Sequence, residues 1–293
     1  MASSSPALPP FAPAFAALAP RYDLILCDVW GVLHNGVEGR MEAAEALTRA
    51  RENGATVILI SNAPRPNAGV ATMLAGMRIP VSWDAIVTSG DVTAGLLRER
   101  GGGRLFHLGP DRDLPIYDGI EVELVGPEDA DLVVCTGLFD DTVETPEDYR
   151  STLAAAKARE LPFICANPDI VVERGGDLIW CAGALAEAYE ALGGEVVWCG
   201  KPHLPIYEAA LALAQRLRGA PVARERVVAI GDALRTDLAG ALNAGIDCLF
   251  VAAGIHAGEL GLEAGAEVDL RALARLLEDG PGQPAAVTTR LVW

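Results

Sequence analysis

Leu24-Ile25-Leu26-Cys27-Asp28-Val29-Trp30-Gly31-Val32-Leu33 is the stretch on which the fold turns. Four apolar residues run into a carboxylate, and a turn glycine follows three positions later. A short, unbroken apolar run suits a strand buried on both faces, and parallel sheets bury their strands that way. Open α/β sheets place their chemistry at the carboxyl ends of such strands. Alone, Asp28 reads equally well as a solvent-facing aspartate. Three further polar signals follow apolar runs in the same way. Ser61-Asn62 follows 57–60, Lys201 follows 196–200, and Gly231-Asp232 with Asp237 follows 227–230.

Strand-like runs alternate with helix-like segments, which predicts an α/β fold with a doubly wound, mainly parallel sheet. The first unit runs from strand 24–27 through helix 41–53 to strand 57–60, with Asn53-Gly54 as the helix stop. Helix 66–75 and a strand at 85–87 follow. The middle third reads as a second α/β domain, with strands 105–108, 132–135 and 163–166 and helices 145–159 and 183–192. Thr145-Pro146-Glu147-Asp148 opens the first of these helices as a capping box. Strand 196–199 is expected to resume the first domain, with helix 205–218, strand 227–230, helix 236–243 and strand 248–251 completing it. The expected domains are an N-terminal arm at 1–21, a discontinuous core at 22–88 and 196–293, and an insert at 89–195. The arm is expected to be partly disordered, with a short docking helix at 11–18. Helix 271–278 and a Pro/Gly-containing tail close the chain.

The order Asp28, Ser61, Lys201, Gly231-Asp232…Asp237 resembles the haloacid dehalogenase (HAD) superfamily of phosphohydrolases. Ser61-Asn62-Ala63-Pro64-Arg65, Asn167-Pro168-Asp169 and Gly200-Lys201-Pro202 resemble its class IIA (NagD-like) branch. The resemblance covers about residues 22–254. It implies a Rossmann-like core with an inserted α/β cap that closes over the strand ends, and it is compatible with a homodimer through the cap. It also implies a Mg²⁺-dependent phosphatase acting on a small phosphorylated metabolite.

In that reading Asp28 is the nucleophile, forming an aspartyl-phosphate. By resemblance, Asp28 and Asp232 hold Mg²⁺ through side chains, Trp30 through its main-chain carbonyl, and Asp237 through water or as an anchor. Lys201 clamps the phosphoryl group and neutralises the nucleophile. The Ser61 hydroxyl and the Asn62 backbone N–H face the phosphoryl oxygens. Asn167 and Asp169 belong to the hinge or the substrate pocket. Arg65 and His203 are candidates for phosphate or leaving-group contacts.

The departure is Trp30. The family's first motif carries a second aspartate here, which protonates the leaving group and activates water. An indole N–H does neither. Three readings stand: another group such as His34, or the substrate itself, supplies the proton; the leaving group needs none; or the protein binds a phosphorylated ligand and turns it over slowly or not at all. An aromatic residue at this place also occurs in the superfamily's metal-free dehalogenases, but the retained Gly231-Asp232…Asp237 segment favours phosphorus as electrophile.

The 293 residues carry a net charge of −17, which argues against nucleic-acid and anionic-membrane partners. Six cysteines, none in a C-x-x-C pair, are expected as buried free thiols of a reducing, cytoplasmic setting.

Overall fold

β1 (Leu24–Asp28) is fully buried along its length and lies inside a six-stranded sheet. The computed structural model describes residues 8–174, 177–262 and 267–293. After β1 come α1 (Met41–Glu52), β2 (Thr56–Ser61), α2 (Asn67–Gly76), β3 (Ala85–Thr88) and α3 (Ser89–Arg100). The insert holds β4 (Gly103–Leu108), β5 (Val122–Leu124), β6 (Leu132–Cys135), α4 (Arg150–Ala158) and β7 (Phe163–Cys165). It continues with β8 (Val171–Arg174), β9 (Asp177–Trp180), α5 (Ala182–Ala191) and β10 (Val196–Trp198). The chain ends with α6 (Leu204–Arg218), β11 (Val227–Gly231), α7 (Ala239–Ala244), β12 (Asp247–Val251), α8 (Leu270–Glu278) and β13 (Ala286–Thr288).

The first sheet has the order β13-β12-β11-β1-β2-β3, and all its pairs are parallel. Alternation along β1 feeds two cores. Ile25 and Cys27 join Ala43, Ala44 and Leu47 of α1 on one face. Leu24 and Leu26 join Ile206, Tyr207 and Ala210 of α6 on the other. A strand covered on both faces must be apolar throughout, which is why 24–27 shows no polar alternation. The insert forms a second parallel sheet, β10-β7-β6-β4-β5. It too is covered twice: Val133 and Cys135 pack with Leu153 and Leu185, whereas Leu132 and Val134 pack with Leu97.

Several expectations need correction. Strand 196–199 does not resume the core: β10 pairs with β7 at the edge of the second sheet. A domain boundary at 195 would cut that strand from its own sheet. Part of the arm is ordered, the first seven residues lying outside the described ones. Phe11 bridges to Val287, and Ala12 and Phe15 donate N–H bonds of 2.7 Å to the carbonyls of Val287 and Val292. The Phe15 N–H that a helix over 11–18 would give to the Phe11 carbonyl goes to Val292 instead, and only single 3₁₀ turns form, at Phe15–Ala17 and Ala19–Arg21. The tail supplies β13, the sixth strand. Helix 236–243 opens as a π-helical turn, Leu234–Leu238, and the capping box at Thr145 heads a 3₁₀ turn before α4.

Candidate active site

In the first sheet the chain leaves β1 towards β2 on one side, and β11 joins from the other. The carboxyl ends of β1 and β11 therefore flank a topological switch point, where open sheets bind ligands. Asp28 ends β1, and Asp232 directly follows β11. Gly31 makes the turn after Asp28 at φ +85°, and a Cβ there would stand 2.1 Å from the Asp232 carboxylate. Gly254 approaches Asp232 as well, where a Cβ would stand 1.9 Å away. Glycine at both places lets Asp232 sit against backbone.

The π-helical turn folds Asp237 back over the end of β11. Its Oδ2 accepts the N–H groups of Asp232 and Ala233, both at 3.1 Å. Lys201 Nζ then joins the two strand ends, donating to Asp28 Oδ1 at 2.6 Å and to Asp237 Oδ1 at 2.7 Å. Ile255 N–H donates to Asp232 Oδ2 at 2.7 Å. Asn62 fixes the lysine backbone from both sides: its Oδ1 accepts Lys201 N–H at 2.7 Å, and its Nδ2 donates to Lys201 O at 3.0 Å. The same Nδ2 donates to Asp169 Oδ1 at 2.9 Å. Asn167 Oδ1 accepts the Asp169 N–H at 3.2 Å, so the Asn-Pro-Asp segment is a turn that delivers a carboxylate to Asn62. Ser61 Oγ accepts the Ala63 N–H at 3.2 Å and faces the same cleft, whose volume is about 760 Å³.

The electrostatics follow from burial. Burial pushes the Asp28 carboxyl well above the usual range and the Asp237 charge adds to it, while Lys201 only partly offsets both. Asp232 rises to about 7, again by burial first and Asp237 second, with the Ile255 N–H, Lys201 and Arg40 opposing. Burial alone would pull Lys201 down, but Asp237 and Asp28 outweigh it and hold the ammonium protonated. Asp28, Asp232 and Asp237 each offer an oxygen within 4.8 Å of the others. Two like charges at that separation repel by roughly 3 kcal/mol at an effective dielectric near 20. One ammonium leaves the cluster with excess negative charge. A hard divalent cation with oxygen ligands fits that set. Both oxygens of Asp237 are already engaged, which suits it as the anchor of Lys201 and of the β11 end.

Not every expected residue converges. His34 is fully buried, and it is absent from the cleft lining. Its Nδ1 accepts the Gly36 N–H at 2.9 Å, and burial with the Arg40 charge lowers it to about 4. A histidine that is neutral at pH 7 and packed at 4.8 Å against the Trp30 ring is no proton donor to the cleft. Arg65 lines the cleft but pairs with Asp113 of the insert at 3.5 Å, away from the carboxylate cluster. His203 lines it too, stacked on Trp198 at 5.2 Å. Arg40 was not foreseen: it donates to the Gly31 and Ala253 carbonyls beside Asp232. A lone arginine before a helix carries no local signal. From the insert, Arg112, Asp113, Thr136, Asp141 and Arg174 also line the cleft.

A haloacid dehalogenase-like hydrolase family model matches residues 25–123, and a HAD-hydrolase-like model matches residues 198–278. A hydrolase of the haloacid dehalogenase-like family from Brucella suis 1330 is 48% identical in sequence. Its crystal structure superposes with a TM-score of 0.85 over 96% of this chain and 100% of that one. Ribonucleotide monophosphatase NagD of Escherichia coli K12 is 28% identical over 235 residues, 79% of this chain and 88% of that protein. The 5'-nucleotidase YutF of Bacillus subtilis is 28% identical over 239 residues, covering 80% and 88%.

Proposed function

This chain belongs to the haloacid dehalogenase-like hydrolase family, and on that premise we propose that it is a phosphatase that hydrolyses small phosphate monoesters through Asp28. The observation that carries the reading is Lys201 Nζ, held between Asp28 and Asp237 at the switch point of the first sheet. Asp28 attacks phosphorus, the P–O bond to the alcohol breaks, and an aspartyl-phosphate forms. Water then attacks phosphorus, the bond to Asp28 breaks, and inorganic phosphate leaves. Lys201 keeps positive charge beside the attacking carboxylate and the phosphoryl oxygens. Ser61 Oγ–H and the backbone beside Asn62 complete the cradle. Asp28, Asp232 and the Trp30 carbonyl would hold Mg²⁺, which when bound offsets the mutual repulsion of nucleophile and phosphate. Asp237 positions Lys201 and the end of β11.

Trp30 supplies no proton, and its ring packs on His34 and against Gly36. The leaving alcohol therefore takes its proton from solvent or from the substrate itself. A second reading follows from the same observation: a protein that binds a phosphorylated metabolite and turns it over slowly. Phosphate release over a panel of aryl, acyl and alkyl phosphates, nucleoside monophosphates included, separates the two. Turnover that needs Mg²⁺, stops with chelator and vanishes in Asp28→Asn supports the phosphatase. Tight binding without release supports the second reading, and release that survives in Asp28→Asn removes the first. The six cysteines are free and buried, which suits a cytoplasmic setting. Among the described residues no helix is long and apolar enough to cross a membrane. A homodimer through the insert would cover exposed Val143 and Leu178; light scattering of the intact chain tests it.

A further inference from the structure

β1 and β12 flank β11 in the first sheet, so their carboxyl ends stand roughly 10 Å apart, two strand spacings. Asp232 follows the strand between them. Segments from both neighbours nevertheless close on its carboxylate. A Cβ on Gly31, after β1, would stand 2.1 Å from Asp232 Oδ2, and one on Gly254, after β12, would stand 1.9 Å from it. The Ile255 N–H donates to the same oxygen at 2.7 Å. Asp232 is therefore placed by where these two segments stand.

Arg40 joins the two segments. It directly precedes α1, and its backbone N–H donates to Leu33 O at 2.8 Å. Its guanidinium donates through Nη1 to Gly31 O, and through Nη2 to Ala253 O at 2.7 Å. Gly31 is itself one of the two glycines that touch Asp232, and Ala253 directly precedes the other. The fork thus bridges the strands on either side of β11. Its planar donors keep a fixed spacing, so both carbonyls must be in place at once. A lysine ammonium would bring the same charge without the fork. Burial and the Asp237 charge push the Asp232 carboxyl up, and the Arg40 charge is among those opposing them. None of the phosphatase steps gives Arg40 a part.

We propose that Arg40 is a positioning residue of the active site: its guanidinium straps the turn after β1 to the loop after β12, and so sets where the Asp232 carboxylate stands for a divalent cation. The inference deepens the phosphatase reading and rests on its assignment of Asp232 as a cation ligand. The shape of the guanidinium, and not its charge alone, carries the role.

The test compares wild type, Arg40→Lys and Arg40→Ala without relying on turnover. Calorimetric titration with Mg²⁺ gives a dissociation constant about ten-fold or more higher in Arg40→Lys, the usual size of effect when a partner that orients a metal ligand is lost. Hydrogen exchange of the metal-free protein rises several-fold over residues 252–257, where the Ile255 N–H meets Asp232, and stays unchanged over α6. Millimolar methylguanidinium restores both measurements towards wild type in Arg40→Ala, which loss of general stability would not allow. Mg²⁺ affinity and exchange in Arg40→Lys equal to wild type overturn the proposal, as does a loss spread evenly over the chain that methylguanidinium leaves in place. Should Arg40→Ala fail to fold, Arg40→Lys decides alone. If wild type binds no Mg²⁺, the cation assignment fails by itself. The strap is then judged by exchange: a local rise in Arg40→Lys supports it, and no rise overturns it.

Discussion

The two parallel sheets present their carboxyl ends to one cleft, but they equip them differently. At the first end, Lys201 shares its ammonium between Asp28 and Asp237, and backbone N–H groups hold Asp237 and Asp232. At the second, Arg65 Nε stands farther off, 3.5 Å from Asp113 Oδ1, and Thr136 Oγ1 makes no hydrogen bond of normal geometry among the described residues. The same topology thus yields one end with short, complete pairing and one end with looser pairing. Preorganisation belongs where charge develops during reaction. Unfinished pairing belongs where a substrate is told from its competitors, because an analogue that leaves buried polar groups unpaired is rejected strongly.

The largest difference expected between the two ends is kinetic. Asp28→Asn keeps the side-chain volume and leaves Lys201 bound to Asp237, but it removes the attacking oxygen anion. Turnover of any phosphate ester should fall by at least about 10⁴-fold, measured as phosphate release under saturating substrate. Variants at Asp113 should change which ester is preferred. If Asp28→Asn and Asp113→Asn proved equally inactive on every ester, the division of labour would be wrong.

Next in size is Lys201→Met. It strands two buried carboxylates that face one ammonium, and breaking a buried pair this way typically costs about 3–5 kcal/mol. Urea unfolding should show that loss. Lys201→Arg should recover little, because a planar guanidinium cannot place one nitrogen between Asp28 and Asp237 as the ammonium does. A change below about 1 kcal/mol in Lys201→Met would mean that the first end is not held by this charge.

At the second end the carboxyl that titrates is Asp113, whose shift has the same direction as those of Asp28 and Asp232. Burial raises the Asp113 carboxyl to about 6, with Arg65, Arg112 and Thr136 lowering it and Asp141 raising it. The folded protein therefore binds a proton more tightly than the unfolded chain. The Asp113 contribution is fully favourable below the unfolded value near 3.8 and is lost as pH rises through about 6. Asp113→Asn should be more stable than wild type at pH 7 by up to about 3 kcal/mol, and the gap should close towards pH 4. Paired urea curves between pH 7.5 and 4.5 read that difference. A gap that widens at low pH would show that Asp113 is held charged.

The first end was largely legible in the sequence, and the second was not. Asp28, Lys201 and Asp232 follow apolar runs directly, and a strand that points at a turn also points at its chemistry. The Asn62 clamp on the Lys201 backbone could not be read, because it joins two loops far apart in the chain. Arg112 and Asp113 stand in Gly109-Pro110-Asp111-Arg112-Asp113, which reads as a solvated turn; only the packing of β4 beside β6 buries Asp113. A strand's pattern does not name its sheet, so β10 was assigned to the wrong one. One missed element did carry a signal: Thr88-x-x-Asp91 is the capping box that starts α3. Arm and tail stabilise one another across the whole chain, and neither half shows this by itself.

The smallest expected effect separates the ends by what they bind. Three buried carboxylates within 4.8 Å fit Mg²⁺ at the first end, whereas the second end combines two carboxylates, Asp113 and Asp141, with three arginines and should ignore it. A ligand that binds only the folded state stabilises by RT ln(1 + [L]/Kd), about 1.4 kcal/mol when the metal is ten-fold above its dissociation constant. For a chain of this size that is a rise of roughly 2 °C in melting temperature. Calorimetric scans with 10 mM Mg²⁺ and with chelator should show the rise in wild type and in Asp113→Asn. Asp232→Asn removes a proposed ligand and relieves the repulsion around Asp237, so it should melt higher than wild type in chelator and gain little from the metal. A shift that survives in Asp232→Asn but disappears in Asp113→Asn would exchange the roles of the two ends. No shift in either protein would take Mg²⁺ out of the first end and leave Lys201 as the sole source of positive charge beside the nucleophile.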